Sequence, residues 1–228
     1  MGYRHRVFKH ASLLGEHREL HGIYSIITND KKGYARHPET LRWKGFLDGL
    51  AVRHGMLVAE MTLRGFNHHS PIAGGGRGET WPPTFLDEPE GQYGILKVKY
   101  RDKPPGRIPL PGTIHALWAS HKYSIMARDY NLYRKFGPLV AHNGITFPEL
   151  SLELTALLRS APPVTSLGNA LLHMWGHVSK FSETKQPDSS PGALLCEIQQ
   201  LSFRHTLSYM IQSTALGELA FWIEVQDC

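Results

Sequence analysis

Apolar positions in this chain recur at steps of three and four, and no stretch of useful length alternates apolar with polar, so the pattern predicts an all-α fold. A first helix is expected from Ser12, a residue suited to cap an opening turn. It places Leu13, Leu14, Leu20 and Ile23 at helical spacings, with Glu16 and Glu19 between them, and Asn29-Asp30-Lys31-Lys32-Gly33 stops it. A second helix is expected from Pro38, an imino acid tolerated in a first turn. Its apolar face runs through Leu47, Leu50, Ala51, His54, Leu57, Val58 and Met61 to Arg64-Gly65-Phe66, where Gly65 fits a left-handed cap. Residues 67–92, rich in Gly, Pro and His, read as a long irregular loop, with a short segment after them around 95–100. Four further helices are expected at about 113–136, 148–160, 167–181 and 192–215, parted by Pro162-Pro163 and by the stretch from Gln186-Pro187 to Pro191-Gly192.

Between these groups lie Lys103-Pro104-Pro105-Gly106 and Ile108-Pro109-Leu110-Pro111-Gly112, which predict a domain boundary. The expected architecture is two small helical domains, 1–105 and 106–228, the first a compact bundle of few helices with long irregular loops. Charge changes at the same place. Residues 1–105 carry 16 Lys/Arg against 11 Asp/Glu, while 106–228 carry 9 of each, so the net charge of +5 belongs to the first half. A basic half of this kind is suited to attracting a polyanion and releasing its counterions.

Composition removes several classes. A hydrophobic fraction of 41% with 20% charged residues is that of an ordinary soluble globular protein. No apolar run approaches the ~18–20 residues that cross a bilayer, and the basic N-terminus lacks the apolar core of a secretory signal, so no membrane partner is expected. Met1-Gly2 lacks the Ser or Thr at the sixth position that myristoylation wants, having Arg6 there. Two cysteines, Cys196 and Cys228, cannot form a disulfide framework, and a reducing cytoplasm is the expected setting. The glycine-rich PIAGGGRGETWPP is no P-loop, since no Gly-Lys-Ser/Thr follows it.

The 14 histidines call for a metal test. His173 and His177 stand four apart on an expected helix, but His173 has no neighbouring Glu of the zincin kind and no third ligand is evident. His68 and His69 are adjacent and do not easily face one ion. No metal and no cofactor are therefore expected. Cys196 lies in the apolar run Leu194-Leu195-Cys196 and is expected to be a buried, inert thiol.

The most informative residues are Leu13-Leu14-Gly15-Glu16-His17-Arg18-Glu19-Leu20, followed by Leu63-Arg64-Gly65-Phe66-Asn67, with His37 just before the long helix. In this order they resemble the phage-type pyrimidine-dimer DNA glycosylases, over roughly residues 8–100. The resemblance implies a bifunctional glycosylase and abasic-site (AP) lyase acting on double-stranded DNA with damaged pyrimidines, without metal or organic cofactor. It implies removal of Met1 and use of the Gly2 α-amine as nucleophile, with Glu19 as catalytic carboxylate and Arg18 as a phosphate clamp. An α-amine, with an ordinary pKa of ~7.7–8.0 against ~10.4 for lysine, is partly neutral at physiological pH. Arg4, Arg6 and Lys9, between nucleophile and helix, are candidates for phosphate contact. The family has Thr then Arg after its initiator, where this chain has Gly2, Tyr3 and Arg4. Its second helix arginine falls on Gly22 beside His21, so His21 and His37 complete the candidate substrate contacts. Action on DNA would place the protein at the bacterial nucleoid.

A second pair of motifs lies beyond the boundary. Trp118-Ala119-Ser120-His121-Lys122-Tyr123-Ser124-Ile125-Met126-Ala127-Arg128 and Asn169-Ala170-Leu171-Leu172-His173-Met174-Trp175-Gly176-His177 resemble a YbgA-type bacterial domain of unknown function. That domain elsewhere accompanies a desulfidase of thiolated pyrimidines, which implies an association with nucleobases. Trp118, Tyr123, Tyr133 and Trp175 read either as core aromatics or as a stacking surface for a base. Three function classes follow: a repair enzyme, a non-catalytic nucleic-acid binder, and an enzyme of modified pyrimidines.

Overall fold

In the computed structural model, which describes residues 10–73, 81–184, 187 and 190–227, the regular elements are all helical and no strand occurs among the described residues. Helix α1 (His10–Thr28) starts two residues before Ser12, which therefore lies inside its first turn and does not cap it. Leu13 and Leu20 are buried, and Leu14 and Ile23 pack half-buried against the same core. The single helix expected from Pro38 is two, α2 (Pro38–Trp43) and α3 (Leu47–Leu63). They part at Gly45, whose φ of +87° would strain any side chain. Gly65 closes α3 with a φ of +80°, and the Phe66 N–H donates back to the Met61 carbonyl at 3.0 Å, the wrap that a left-handed cap permits.

Helix α4 (Pro89–Lys99) occupies the end of the stretch read as irregular. Its buried side are Pro89, Gln92, Tyr93 and Leu96, too polar a set to show as an apolar stripe. The long helix expected over 113–136 is α5 (Ile114–Met126) and α6 (Tyr130–Ala141), because the Asp129 carboxylate accepts the N–H groups of Asn131 and Leu132 at 2.8 and 3.0 Å and starts a new helix. A Thr146/Glu149 capping box opens α7 (Phe147–Leu157). After α8 (Val164–Val178), the segment expected as one helix over 192–215 is α9 (Pro191–Arg204) and the short α10 (Ser208–Ile211), broken at Thr206 with a φ of +51°. Cys196 is exposed on α9, contrary to expectation: the periodicity turns Leu194, Leu195 and Ile198 inward and the thiol outward.

Helix α11 (Ala215–Asp227) lies beyond the last expected helix. It is buried around most of its circumference, and such a helix has no one-sided stripe to read. Leu216, Leu219 and Ile223 join a core with α5, α8 and α9, while Trp222 meets Val52 and Met56 of α3. Two glycines let α3 and α11 approach. A Cβ on Gly55 would run into the Phe221 ring, and one on Gly217 would lie 2.7 Å from Glu60 Oε2. Glu60 itself has no solvent exposure and is gripped by Arg64 at 2.6 Å and by Arg107 through two bonds of 2.8 and 2.6 Å. Arg107 also donates to the carbonyls of Ile211 and Ser213 just ahead of α11. Arg128 makes a second buried pair with Glu218 of α11 at 2.9 Å. No described helix is long and apolar enough to cross a membrane.

Removing one partner of a buried ion pair strands the other charge in low dielectric, at a cost of about 3–5 kcal/mol. Glu60→Gln should lower unfolding stability by about that amount, and Gly217→Ala by about 1–3 kcal/mol through overpacking. Urea denaturation followed by far-UV circular dichroism measures both. Losses well under ~1 kcal/mol would show that the α3–α11 seam bears little of the fold.

Candidate functional site

An open cleft of about 530 Å³ runs beside α1. Its walls include Glu16 and Glu19 of α1, Arg53 of α3, Tyr34 and His37 before α2, and Leu86. The two α1 carboxylates differ in what holds them. Glu16 forms an ion pair with the buried Arg53 guanidinium. Glu19 is exposed, with no ion pair among the described residues. A third carboxylate at the cleft, Glu39, is bound by Arg42 at 3.0 and 2.6 Å and by the Trp43 indole at 3.0 Å. Burial would raise its pKa, but the Arg42 and Trp43 bonds prevail and hold it below the usual carboxylate value. His37 caps α2, its Nδ1 accepting the Glu39 N–H at 3.3 Å, so the ring proton sits on Nε2. Tyr34 stands beside it, 77% exposed.

The structure thus brings Glu19 and His37 to one cleft. Arg18 is exposed and is not among the residues that line the cleft. His21 turns away from the cleft toward α3. Gly2, Arg4, Arg6 and Lys9 lie outside the described residues.

Toward α3, His17 and His21 of α1 meet His54 of α3 and His68 of the segment after it. One ring nitrogen from each lies within 4.8 Å of those of the other three. His21 Nε2 is 3.1 Å from His54 Nε2, and ring centroids of the remaining neighbours are 4.6–5.2 Å apart. Burial, reinforced by the charges that His21, His68 and Arg18 would place nearby, lowers His17 to about 4. Burial and then His21, His17 and His68 lower His54 to about 3. Burial also lowers His21, against a hydrogen bond to the Ser70 backbone that favours its charged form. These imidazoles are neutral at physiological pH. The sequence held a signal for the group, since His17 and His21 have the same spacing of four as His173 and His177, and His54 lies on the buried face of α3. Glu16–Arg53 had no such local signal.

A different cluster joins the two motifs of the second half. Lys122 Nζ lies 5.0 Å from the Tyr123 ring and 4.6 Å from that of Tyr209, and burial lowers its pKa. The His177 ring is 5.2 Å from Tyr209, and burial raises Tyr123 to about 12. Tyr123 is a core residue, with Tyr133 and Trp175 packed half-buried against the same core. Trp118 stacks on Tyr133 at 5.5 Å, which stacks on the exposed Tyr130 at 5.9 Å.

Residues 5–73 match the family model for pyrimidine dimer DNA glycosylases, and residues 122–190 match that of a family of proteins of unknown function, DUF1722. These are the two parts whose motifs the sequence carries. Neither a curated protein nor a solved structure matches the chain.

The histidine group sets a pH dependence. With folded values near 4 and 3 against an ordinary 6.5, His17 and His54 take up protons more readily in the unfolded chain. Their contribution to stability is complete above about pH 6.5 and is lost as pH falls from there toward 4 and 3. The thermal midpoint of the metal-free chain should therefore drop between about pH 7 and about pH 5, and His54→Phe should flatten that slope. A wild-type midpoint that stays level over this range would count against buried neutral imidazoles.

Proposed function

We propose that the chain is a DNA repair enzyme that excises pyrimidine dimers through its N-terminal amine, with Glu19 as the carboxylate that steadies the reacting sugar. The observation that carries this reading is the match of residues 5–73 to the pyrimidine dimer DNA glycosylase family. Its support in the fold is an exposed carboxylate on the wall of an open cleft, next to Glu16 and Glu39, which are already committed to Arg53 and Arg42. In this reading the chain divides into a glycosylase part, 1–105, and a YbgA-type part, 106–228.

With Met1 removed, the Gly2 amine attacks the sugar carbon C1′ that bears the damaged base. The C1′–N glycosidic bond breaks, the base leaves with its electron pair and takes up a proton, and ring opening gives an imine between Gly2 and the sugar. Loss of a proton from C2′ then expels the 3′ phosphate and nicks the strand, and hydrolysis of the imine releases the amine. Positive charge develops at C1′ and persists on the imine. A carboxylate already in place beside that carbon stabilises it without solvent having to reorient, and the same group relays the proton at C2′. His37 presents an Nε2–H donor at the cleft rim, suited to a phosphate or base edge. Arg4, Arg6, Lys9 and Arg18 supply cations for the backbone, and the enzyme must move a base out of the stack to reach the sugar. The nucleophile needs no metal in this scheme.

An ultraviolet-irradiated duplex incubated with the protein and borohydride should yield a covalent adduct mapped to the N-terminal peptide. Glu19→Gln should keep duplex affinity within a few fold and slow strand cleavage by about 10²-fold or more. Salt-sensitive duplex binding with neither adduct nor nick would favour a non-catalytic nucleic-acid binder. Unimpaired cleavage by Glu19→Gln would remove the role given to that carboxylate.

A further inference from the structure

We propose that His17, His21, His54 and His68 form a zinc-class metal site that fastens the segment after α3 to helices α1 and α3. Four imidazoles from three separate parts of the chain converge so that one nitrogen of each falls within a 4.8 Å span. A four-coordinate zinc with Zn–N bonds of ~2.0–2.1 Å sets its nitrogens ~3.4 Å apart. His21 and His54 already stand at 3.1 Å. The nitrogens of the other two lie within 4.8 Å of these.

Hydrogen bonding does not account for the arrangement. His17 Nε2 and His68 Nε2 are buried with no hydrogen-bond partner among the described residues. His21 and His54 can share one proton between their facing nitrogens, and the Nε2 atoms of the other two rings remain without a partner among the described residues. An orphaned buried nitrogen has a desolvation cost, and two beside a third and fourth of the same kind make a cluster of lone pairs suited to one electrophile. A cation that takes one lone pair from each ring satisfies the group at once. The His21 bond to the Ser70 backbone then has the place of the outer hydrogen bond that orients a ligating imidazole.

The donor set selects the ion. Neutral imidazoles suit zinc, nickel, copper and cobalt, whereas calcium and magnesium want oxygen, and no carboxylate belongs to the group. Four protein ligands fill a tetrahedral shell and leave no position for water or substrate, so the site is structural. Its mechanical role follows from its attachments. Residues 67–73, which carry His68, have no helix of their own, and a metal at His68 ties that segment across to α1 and α3.

The proposal is independent of any activity on DNA. Full-length protein purified without metal-affinity steps should contain about one zinc per chain by plasma mass spectrometry. Chelator-stripped protein should regain one equivalent of Zn²⁺, and Co²⁺ in its place should give the intense visible bands of tetrahedral cobalt. Zinc at about a hundredfold excess over Kd should raise the thermal midpoint by about 5–10 °C. His68→Ala, whose site lies in an irregular segment, should fold with an unchanged far-UV spectrum and bind zinc at least about a hundredfold more weakly. The double variant His173→Ala/His177→Ala should bind as the wild type does. Stripped, folded protein that takes up no zinc, or zinc uptake that survives His68→Ala and fails in the His173/His177 variant, would overturn the assignment.

Discussion

A glutamate without solvent contact holds the two sequence halves in place. Glu60 projects from α3, and its carboxylate is gripped by Arg64 of the same chain segment and by Arg107 from beyond the proline-glycine cluster. Arg107 in turn reaches the carbonyls of Ile211 and Ser213 that precede α11. A buried carboxylate is tolerable only with its partners present, so the geometry of α3 against α11 is specified by charge as well as by packing. The absence of a side chain at Gly217 lets α11 pass over that carboxylate. Since α1 lies against α3, the walls of the cleft and the histidine group inherit their positions from this seam.

How much of this could be read along the chain differs by element. The buried faces of α1 and α3 were legible, because Leu13, Leu20, Leu50, Leu57 and Met61 repeat with the period of a helix packed on one side. The breaks were less so. Gly45 and Asp129 each divide an apolar run that looks continuous, the first by a positive φ and the second by capping the next helix. Helix α4 buries a proline and a glutamine, and α11 is enclosed on most sides, so neither shows a one-faced stripe. Both are ordered by contacts with residues distant in sequence.

The site divides in the same manner. Glu19 and His37 stand in ordered motifs of the sequence, and the fold places both on one cleft. The partner of Glu16 is 37 positions away at Arg53, and nothing local links them. His17 and His21 could have been paired by spacing alone, but His54 looked like one more member of an apolar face. Its meaning depends on which residues α1 lays against it. The exposed thiol of Cys196 gives the converse lesson, since an apolar neighbourhood in sequence does not say which side of a helix a residue takes.

Helices α1 and α3 each send successive residues to two sites. Glu16 and His17 are neighbours on α1, and Arg53 and His54 are neighbours on α3. Glu16 pairs with Arg53 at the cleft, and His17 meets His54 in the histidine group, with 5.1 Å between ring centroids. Adjacent residues project about 100° apart on a helix, so one ion pair and one ring contact clamp two flanks of a single helix–helix contact. Sliding α1 along α3 by one residue would set Glu16 against His54 or Val52, and would break both contacts together. The register that places Glu19 at the mouth of the cleft is thus fixed twice, once by charge and once by imidazole packing. That double constraint explains how an exposed carboxylate can be held at a defined place without a direct partner of its own among the described residues.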